Sequence, residues 1–142
     1  MTRRVLVAML TAASLSSCSW FVGPDDDLSA EVTFDVSPDA GQDLADSASI
    51  SVDGKDIVIT GVITTSDGCR EVNGAGEVSS NSIRIVIRAD VVGEGCPTVL
   101  GRYDYQVVLA NMKSGLWNVE VRHRLRGDGA STFVAGKPTL VP

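Results

Sequence analysis

The sequence predicts an all-β protein, built as one antiparallel β-sandwich of about seven or eight strands. From residue 31 onward apolar residues recur at every second position, which is the period of strands and not of helices. Clusters of Gly, Asp, Asn and Ser interrupt these runs at short intervals and supply the turns. Because each run has one apolar face, two sheets must pack against each other to bury those faces.

The first part of this region predicts three strands. Residues 31–36 alternate until Pro38 breaks the run, and residues 49–52 lead into Asp53-Gly54, after which residues 55–65 continue. An Asp-Gly pair between two alternating runs is a strong hairpin signal. Gly61 interrupts the second of those runs, so we expect a β-bulge there.

The later part contains the clearest strands. Residues 82–92 place isoleucines on one face and arginines on the other, and residues 102–110 and 116–125 alternate in the same way. Trp117 and His123 share the inward face of the last of these runs. Residues 71–79 predict a weak, glycine-containing strand, and a final strand lies near residues 132–134. Pro138 predicts that the stretch to Val141 lies at a sheet edge, where a missing N–H is tolerated.

The N-terminus has the organisation of an export signal. Arg3 and Arg4 precede an apolar run over residues 5–10, and small residues follow before Cys18. The apolar run is too short to span a bilayer, which needs roughly 20 apolar residues. The two adjacent arginines also resemble a twin-arginine signal, so both export routes stay open.

The end of this signal, Leu15-Ser16-Ser17-Cys18, resembles the lipobox of bacterial lipoproteins. The resemblance implies that residues 1–17 are removed, that the Cys18 thiol carries a diacylglyceryl group with palmitate-type chains, and that the protein is anchored on the extracytoplasmic side of a cell membrane. Residues 18–30 are then a lipidated tether and residues 31–142 the sandwich domain.

The three cysteines fit this assignment. Lipidation of Cys18 leaves Cys69 and Cys96 as one pair in an oxidising compartment, where we expect a disulfide bond. Its loop of about 28 residues would stabilise the fold by about 3 to 4 kcal/mol through the entropy of the unfolded chain.

Composition and charge restrict the function. Removal of residues 1–17 takes away two arginines and no acid, so the formal net charge falls from −6 to −8. Such a chain is a poor generic binder of nucleic acid. With one histidine and no spare cysteine, the usual zinc ligand sets and thiol nucleophiles cannot be assembled, so we expect no metal site and no catalytic thiol. A Ser-His-Asp triad is not excluded by composition, but no serine lies in a Gly-x-Ser-x-Gly turn, so we expect no catalytic residue and no cofactor.

Residues 112–121, which contain Gly115, Trp117, Val119 and Val121, resemble the penultimate-strand element of bacterial immunoglobulin-like and fibronectin-like domains. The resemblance implies an immunoglobulin-like sandwich. The chain departs from true immunoglobulins because Trp117 follows both Cys69 and Cys96 instead of lying between them.

Several arginines share the outward parity of their strands and form a candidate anion-binding face: Arg84, Arg88, Arg102, Arg122, Arg124 and Arg126. The competing interpretation is a set of solvated side chains paired with Asp90, Asp104 and Glu120.

We therefore expect a structural or binding module of the cell envelope that meets a protein or an acidic polymer. One alternative is a carrier of lipids or other apolar ligands, which requires a cavity between the sheets. A further alternative is a hydrolase with a site near His123, which requires a pocket that holds this histidine beside an acid and a nucleophile.

Overall fold

The computed structural model describes residues 31–39, 45–67, 69–96, 100–125 and 129–142, and within these ranges the chain is all-β with no helix. The eight strands are β1 (Glu31–Asp39), β2 (Ser47–Asp53), β3 (Asp56–Thr65), β4 (Arg70–Ser79), β5 (Ser82–Val91), β6 (Gly101–Ala110), β7 (Gly115–Leu125) and β8 (Thr132–Val141). The predicted strand class is confirmed for this part of the chain. The predictions for residues 1–17, Cys18, residues 18–30 and Arg126 lie outside the described residues.

The strands form two four-stranded sheets. Sheet A has the order β1-β6-β3-β2, and sheet B has the order β4-β5-β7-β8. The hairpin predicted at Asp53-Gly54 joins β2 to β3, and Gly54 has a φ of 58°, a conformation that glycine adopts at little cost. β8 is an edge strand and carries Pro138, as expected from the sequence.

The prediction that both sheets are wholly antiparallel is wrong at the centre of sheet B, where β5 and β7 run parallel. The chain passes from β5 into sheet A to form β6 and then returns to sheet B as β7. Two reversals of direction restore the original direction, so two strands separated by one strand are parallel when they pair. Every other pair joins an odd-numbered strand to an even-numbered one and is antiparallel.

The core lies between the sheets; inward residues of β3, β5, β6 and β7 form most of it, and β2 and β8 contribute Ile50 and Val141. Its most deeply buried side chains are aliphatic: Ile57, Ile59, Ile63, Ile83, Ile85, Ile87, Leu109, Val121 and Val141. Burial of each such side chain contributes roughly 1.5–3 kcal/mol. Trp117 packs among them, and its Nε1–H donates to the carbonyl of Lys113 at 2.9 Å.

Gly61 does not mark the predicted bulge, because β3 keeps its register with both β2 and β6 throughout. Gly61 faces the core opposite Tyr105, and a Cβ there would collide with the Tyr105 ring and with the carbonyl of Ser47. The glycine is therefore required by the close approach of an aromatic side chain. A register irregularity occurs instead between Val121 and Arg122 of β7, opposite β8.

Candidate functional site

Four of the six arginines named above lie on the outer face of sheet B, which we call the arginine face. Arg84 and Arg88 come from β5 and Arg122 and Arg124 from β7, and in each strand they alternate with buried residues. The register places Arg88 beside Arg124. Arg102 lies on β6 in sheet A and is therefore separate from this face, with its guanidinium 3.6 Å from Asp104.

Two members of the arginine face are neutralised by glutamates. Arg122 donates to Glu120 at 2.9 Å and to both the hydroxyl and the carbonyl of Ser131 at 2.7 Å. Arg84 lies 3.5 Å from Glu120 and 3.8 Å from Glu77. These are partly exposed ion pairs, which contribute little to stability.

Arg88 and Arg124 differ from these two arginines because neither forms an ion pair with any described residue. Arg88 is half-buried, and its Nε is inaccessible to solvent and finds no acceptor in the described parts of the chain. Arg124 is exposed. The arginine face therefore contains two neighbouring arginines, Arg88 and Arg124, that form no ion pair with its described carboxylates.

Large apolar side chains border the arginine face on β7 and β8. Leu116 and Leu140 are neighbours across the strand pair and are 54% and 68% exposed, and Phe133 pairs with Arg122 and is 56% exposed. Phe133 therefore lies next to the arginines, whereas Leu116 and Leu140 lie toward the other end of the two strands. Exposed apolar side chains on a sheet face are typical of surfaces that meet other molecules.

A second cluster lies inside the sandwich and includes the histidine. His123 of β7 is buried and is bonded on both ring nitrogens: Nε2 lies 2.8 Å from the Tyr105 hydroxyl, and Nδ1 lies 2.8 Å from Asp46 Oδ2. Asp46 directly precedes β2, and its other oxygen accepts hydrogen bonds from the Thr64 amide and hydroxyl. The cluster thus links sheet A to sheet B through polar groups.

Chemistry assigns the protons within this cluster. Burial, together with the negative charge of Asp46, raises the pKa of Tyr105 above its usual value, so the phenol keeps its proton and is the donor to His123 Nε2 when the imidazole ring is neutral. His123 Nδ1–H then donates to Asp46. Partial burial opposes ionisation of Asp46, but the hydrogen bonds from His123 and Thr64 outweigh it and lower the pKa of this carboxyl.

The arrangement places an acid and a hydroxyl on either side of His123, yet both rings are buried, with 3% of each residue exposed. A protonated, buried phenol is a poor nucleophile, since nucleophilic catalysis requires an activated and accessible group. A shallow depression of about 500 Å³ lies nearby, lined by residues of β2, β3 and β6, and His123 is not among them. All three of these strands belong to sheet A.

The disulfide bond predicted between Cys69 and Cys96 is present, with the two Cα atoms 5.5 Å apart. It joins the β3–β4 connection to the β5–β6 connection, and beside it the Val92 amide donates to the carbonyl of Cys69 at 2.9 Å. An ion pair of 2.7 Å between Asp67 and Arg70 reinforces the same end of the sandwich and lowers the pKa of Asp67.

Within the described residues, no three His, Cys, Asp or Glu side chains are grouped so that they could hold a metal ion. The same residues include no helix with the length and hydrophobicity to cross a membrane. Comparison with protein-family models, curated proteins and solved structures finds no match to this chain.

Sequence reasoning did not find Asp46 or the role of Tyr105. Asp46 lies in no alternating run, and its approach to His123 depends on how the start of β2 packs against the opposite sheet. Two signals were nevertheless present: an inward-facing tyrosine opposite an inward-facing glycine, and an inward-facing histidine, which needs polar partners once it is buried.

Proposed function

We propose that this protein is a lipid-anchored lipoprotein on the extracytoplasmic side of a cell membrane, and that its sandwich domain serves as a non-enzymatic binding module of the cell envelope. Its partner is a protein or an acidic polymer that meets the outer face of sheet B. The observation that carries the proposal is that the outer face of sheet B presents Arg88 and Arg124, which form no ion pair with any described residue, together with the exposed Phe133, the cross-strand partner of Arg122. Leu116 and Leu140 add exposed apolar surface at the other end of β7 and β8.

The outer face of sheet B combines positive charge with exposed apolar surface. The chain as a whole is acidic, so two adjacent arginines without ion pairs to described residues, with Phe133 on the same face, are a local exception to the overall charge. Arginine and phenylalanine are enriched at protein interfaces because they offer both polar and apolar contact area. A partner that presents acidic groups beside apolar ones would complement both features.

The anchor and the fold type are parts of the same proposal. The lipobox resemblance at Cys18 supports membrane attachment, and one disulfide bond in the sandwich suits an oxidising compartment. The immunoglobulin-like or fibronectin-like type rests on residues 112–121, whereas the parallel pair β5–β7 at the centre of sheet B departs from the wholly antiparallel sheets of that class.

Two alternatives are less well supported. A carrier of lipids or apolar ligands needs a cavity between the sheets, whereas the depression near β2 is lined by strands of sheet A alone. A hydrolase near His123 has an acid and a hydroxyl at hydrogen-bond distance, but both rings are buried and the hydroxyl already donates to the histidine.

Site-specific photo-crosslinking in intact cells tests the proposal. A photoreactive residue at Phe133 reports on the arginine face, and the same residue at Thr60, which is exposed on β3 of sheet A, serves as the matched control. We expect a discrete adduct from position 133 and none from position 60, and we expect Arg124→Ser to weaken that adduct. Equal adducts from both faces, or an adduct from position 60 alone, would contradict the proposal.

A further inference from the structure

The strongest unexplained feature of the molecule is the pairing of two arginines at the centre of sheet B. Arg88 of β5 and Arg124 of β7 are partners in the parallel register, so their Cα atoms belong to strands about 4.8 Å apart. Both residues alternate with inward-facing ones, which directs both side chains to the same outer face. Like charges placed directly beside each other across two strands are destabilising.

No carboxylate described on this face forms an ion pair with either arginine. Glu120 contacts Arg84 and Arg122, and Glu77 contacts Arg84. Asp90, the next outward residue after Arg88 on β5, accepts a hydrogen bond from the amide of Asn73 at 3.3 Å. Glu71, the cross-strand partner of Asp90, is exposed on the same face. None of these four acids forms an ion pair with Arg88 or Arg124.

A second observation concerns the hydrogen bonding of the Arg88 guanidinium. Its Nε is inaccessible to solvent and donates to no acceptor in the described residues, although a buried donor without an acceptor costs free energy. Arginine binds oxyanions through parallel N–H donors, and two guanidinium groups on one face can share a single oxyanion. An oxyanion beside the two guanidinium groups would balance their charges.

We propose that Arg88 and Arg124 form a binding site for one oxyanion, a carboxylate or phosphate group, on the outer face of sheet B. The identification of this group as the one that the envelope partner presents rests on the function proposed above. Binding of a free anion by the protein requires no partner. The two ideas can therefore fail separately.

Titration of the mature protein in nonionic detergent, followed by NMR of the arginine Nε–H groups, tests the site. Inorganic phosphate and acetate are the two probes, and chloride at matched ionic strength corrects for screening. We expect the Arg88 Nε–H resonance to shift saturably with at least one probe. Tighter binding of phosphate indicates a phosphate-bearing ligand, and tighter binding of acetate indicates a carboxylate-bearing one. Absence of a saturable shift with both probes would overturn the site.

Two variants separate a discrete site from a diffuse charge effect. Arg124→Gln removes one guanidinium at an exposed position, so the fold is retained and we expect binding to weaken about tenfold. Arg84→Gln removes an equal charge from the same face and from the same strand as Arg88, and we expect a change of less than about twofold. Equal weakening in both variants would show that the anion responds to the general field of the face and would refute the proposal.

Discussion

At the scale of single residues, the buried histidine is a polar group that needs hydrogen-bond partners inside the core. His123 lies among aliphatic side chains, where an imidazole without hydrogen bonds would cost free energy, and Tyr105 and Asp46 satisfy one ring nitrogen each. Since Tyr105 comes from sheet A and His123 from sheet B, the same bonds fix how the two sheets are placed. These contacts therefore support a structural role for His123 more strongly than a catalytic one.

The Tyr105 hydroxyl can be tested by its removal. Tyr105→Phe leaves His123 Nε2 buried without a donor, and we expect the free energy of unfolding to fall by about 1–3 kcal/mol. Urea denaturation measures this change. Tyr103→Phe is the matched control, because Tyr103 is only partly buried, and we expect it to change stability by less than about 0.5 kcal/mol. Equal losses in the two variants would contradict the assigned hydrogen bond.

Asp46 predicts a pH dependence with a definite sign. Its pKa is lower in the folded protein than the ordinary value of 3.8, so folding favours the ionised carboxylate. The resulting stabilisation is fully present above pH 3.8, and it is lost as the pH falls below that value through the folded pKa. We expect Asp46→Asn to flatten this acid limb of the stability curve, as measured by denaturation across the acid range. An unchanged acid limb would show that Asp46 is not the group responsible.

At the scale of elements, the alternation of apolar residues predicted where the strands lie in the sequence, but it did not predict which strands pair. The run 82–92 became β5 almost residue for residue, because burial of one face leaves no freedom in the alternation. Pairing depends on which connections cross between the sheets, and local periodicity does not record this. Alternation therefore did not predict the parallel β5–β7 pair. It also grouped Arg102, which lies on sheet A, with arginines that lie on sheet B.

The same limit applies to the candidate site. Parity correctly grouped Arg84, Arg88, Arg122 and Arg124, since each sits between inward-facing neighbours. Parity did not distinguish the neutralised arginines from the unbalanced ones, because that distinction depends on cross-strand register. Arg84 lies beside Glu120, whereas Arg88, four residues further along β5, lies beside Arg124.

The disulfide bond is an element-scale constraint, because it joins two connections that pass between the sheets. Its two cysteines are 27 residues apart, and we expect the double variant Cys69→Ser/Cys96→Ser to lose about 3 to 4 kcal/mol of stability. Urea denaturation with and without a reducing agent provides the check. Reduction should bring the parent protein to the stability of the double variant and leave that variant unchanged. A parent protein insensitive to reduction would show that the bond does not support the fold.

At the scale of the whole molecule, the predicted anchor and the folded domain are separate in sequence, since the eight strands of the described residues lie between Glu31 and Val141. This separation predicts that the two can be lost independently. Cys18→Ser should abolish palmitate labelling and release the protein from the membrane fraction, while the urea unfolding curve of the domain stays unchanged, because the disulfide bond uses only Cys69 and Cys96.

The converse variant is the matched control for the anchor. Cys69→Ser should retain palmitate labelling and membrane association while it lowers the stability of the domain, because it removes the disulfide bond and leaves Cys18 in place. Labelling that survived Cys18→Ser would place the lipid elsewhere and remove the basis of the proposed anchor. The arginine face would still be available for binding, since its residues lie on β5 and β7, far along the chain from Cys18.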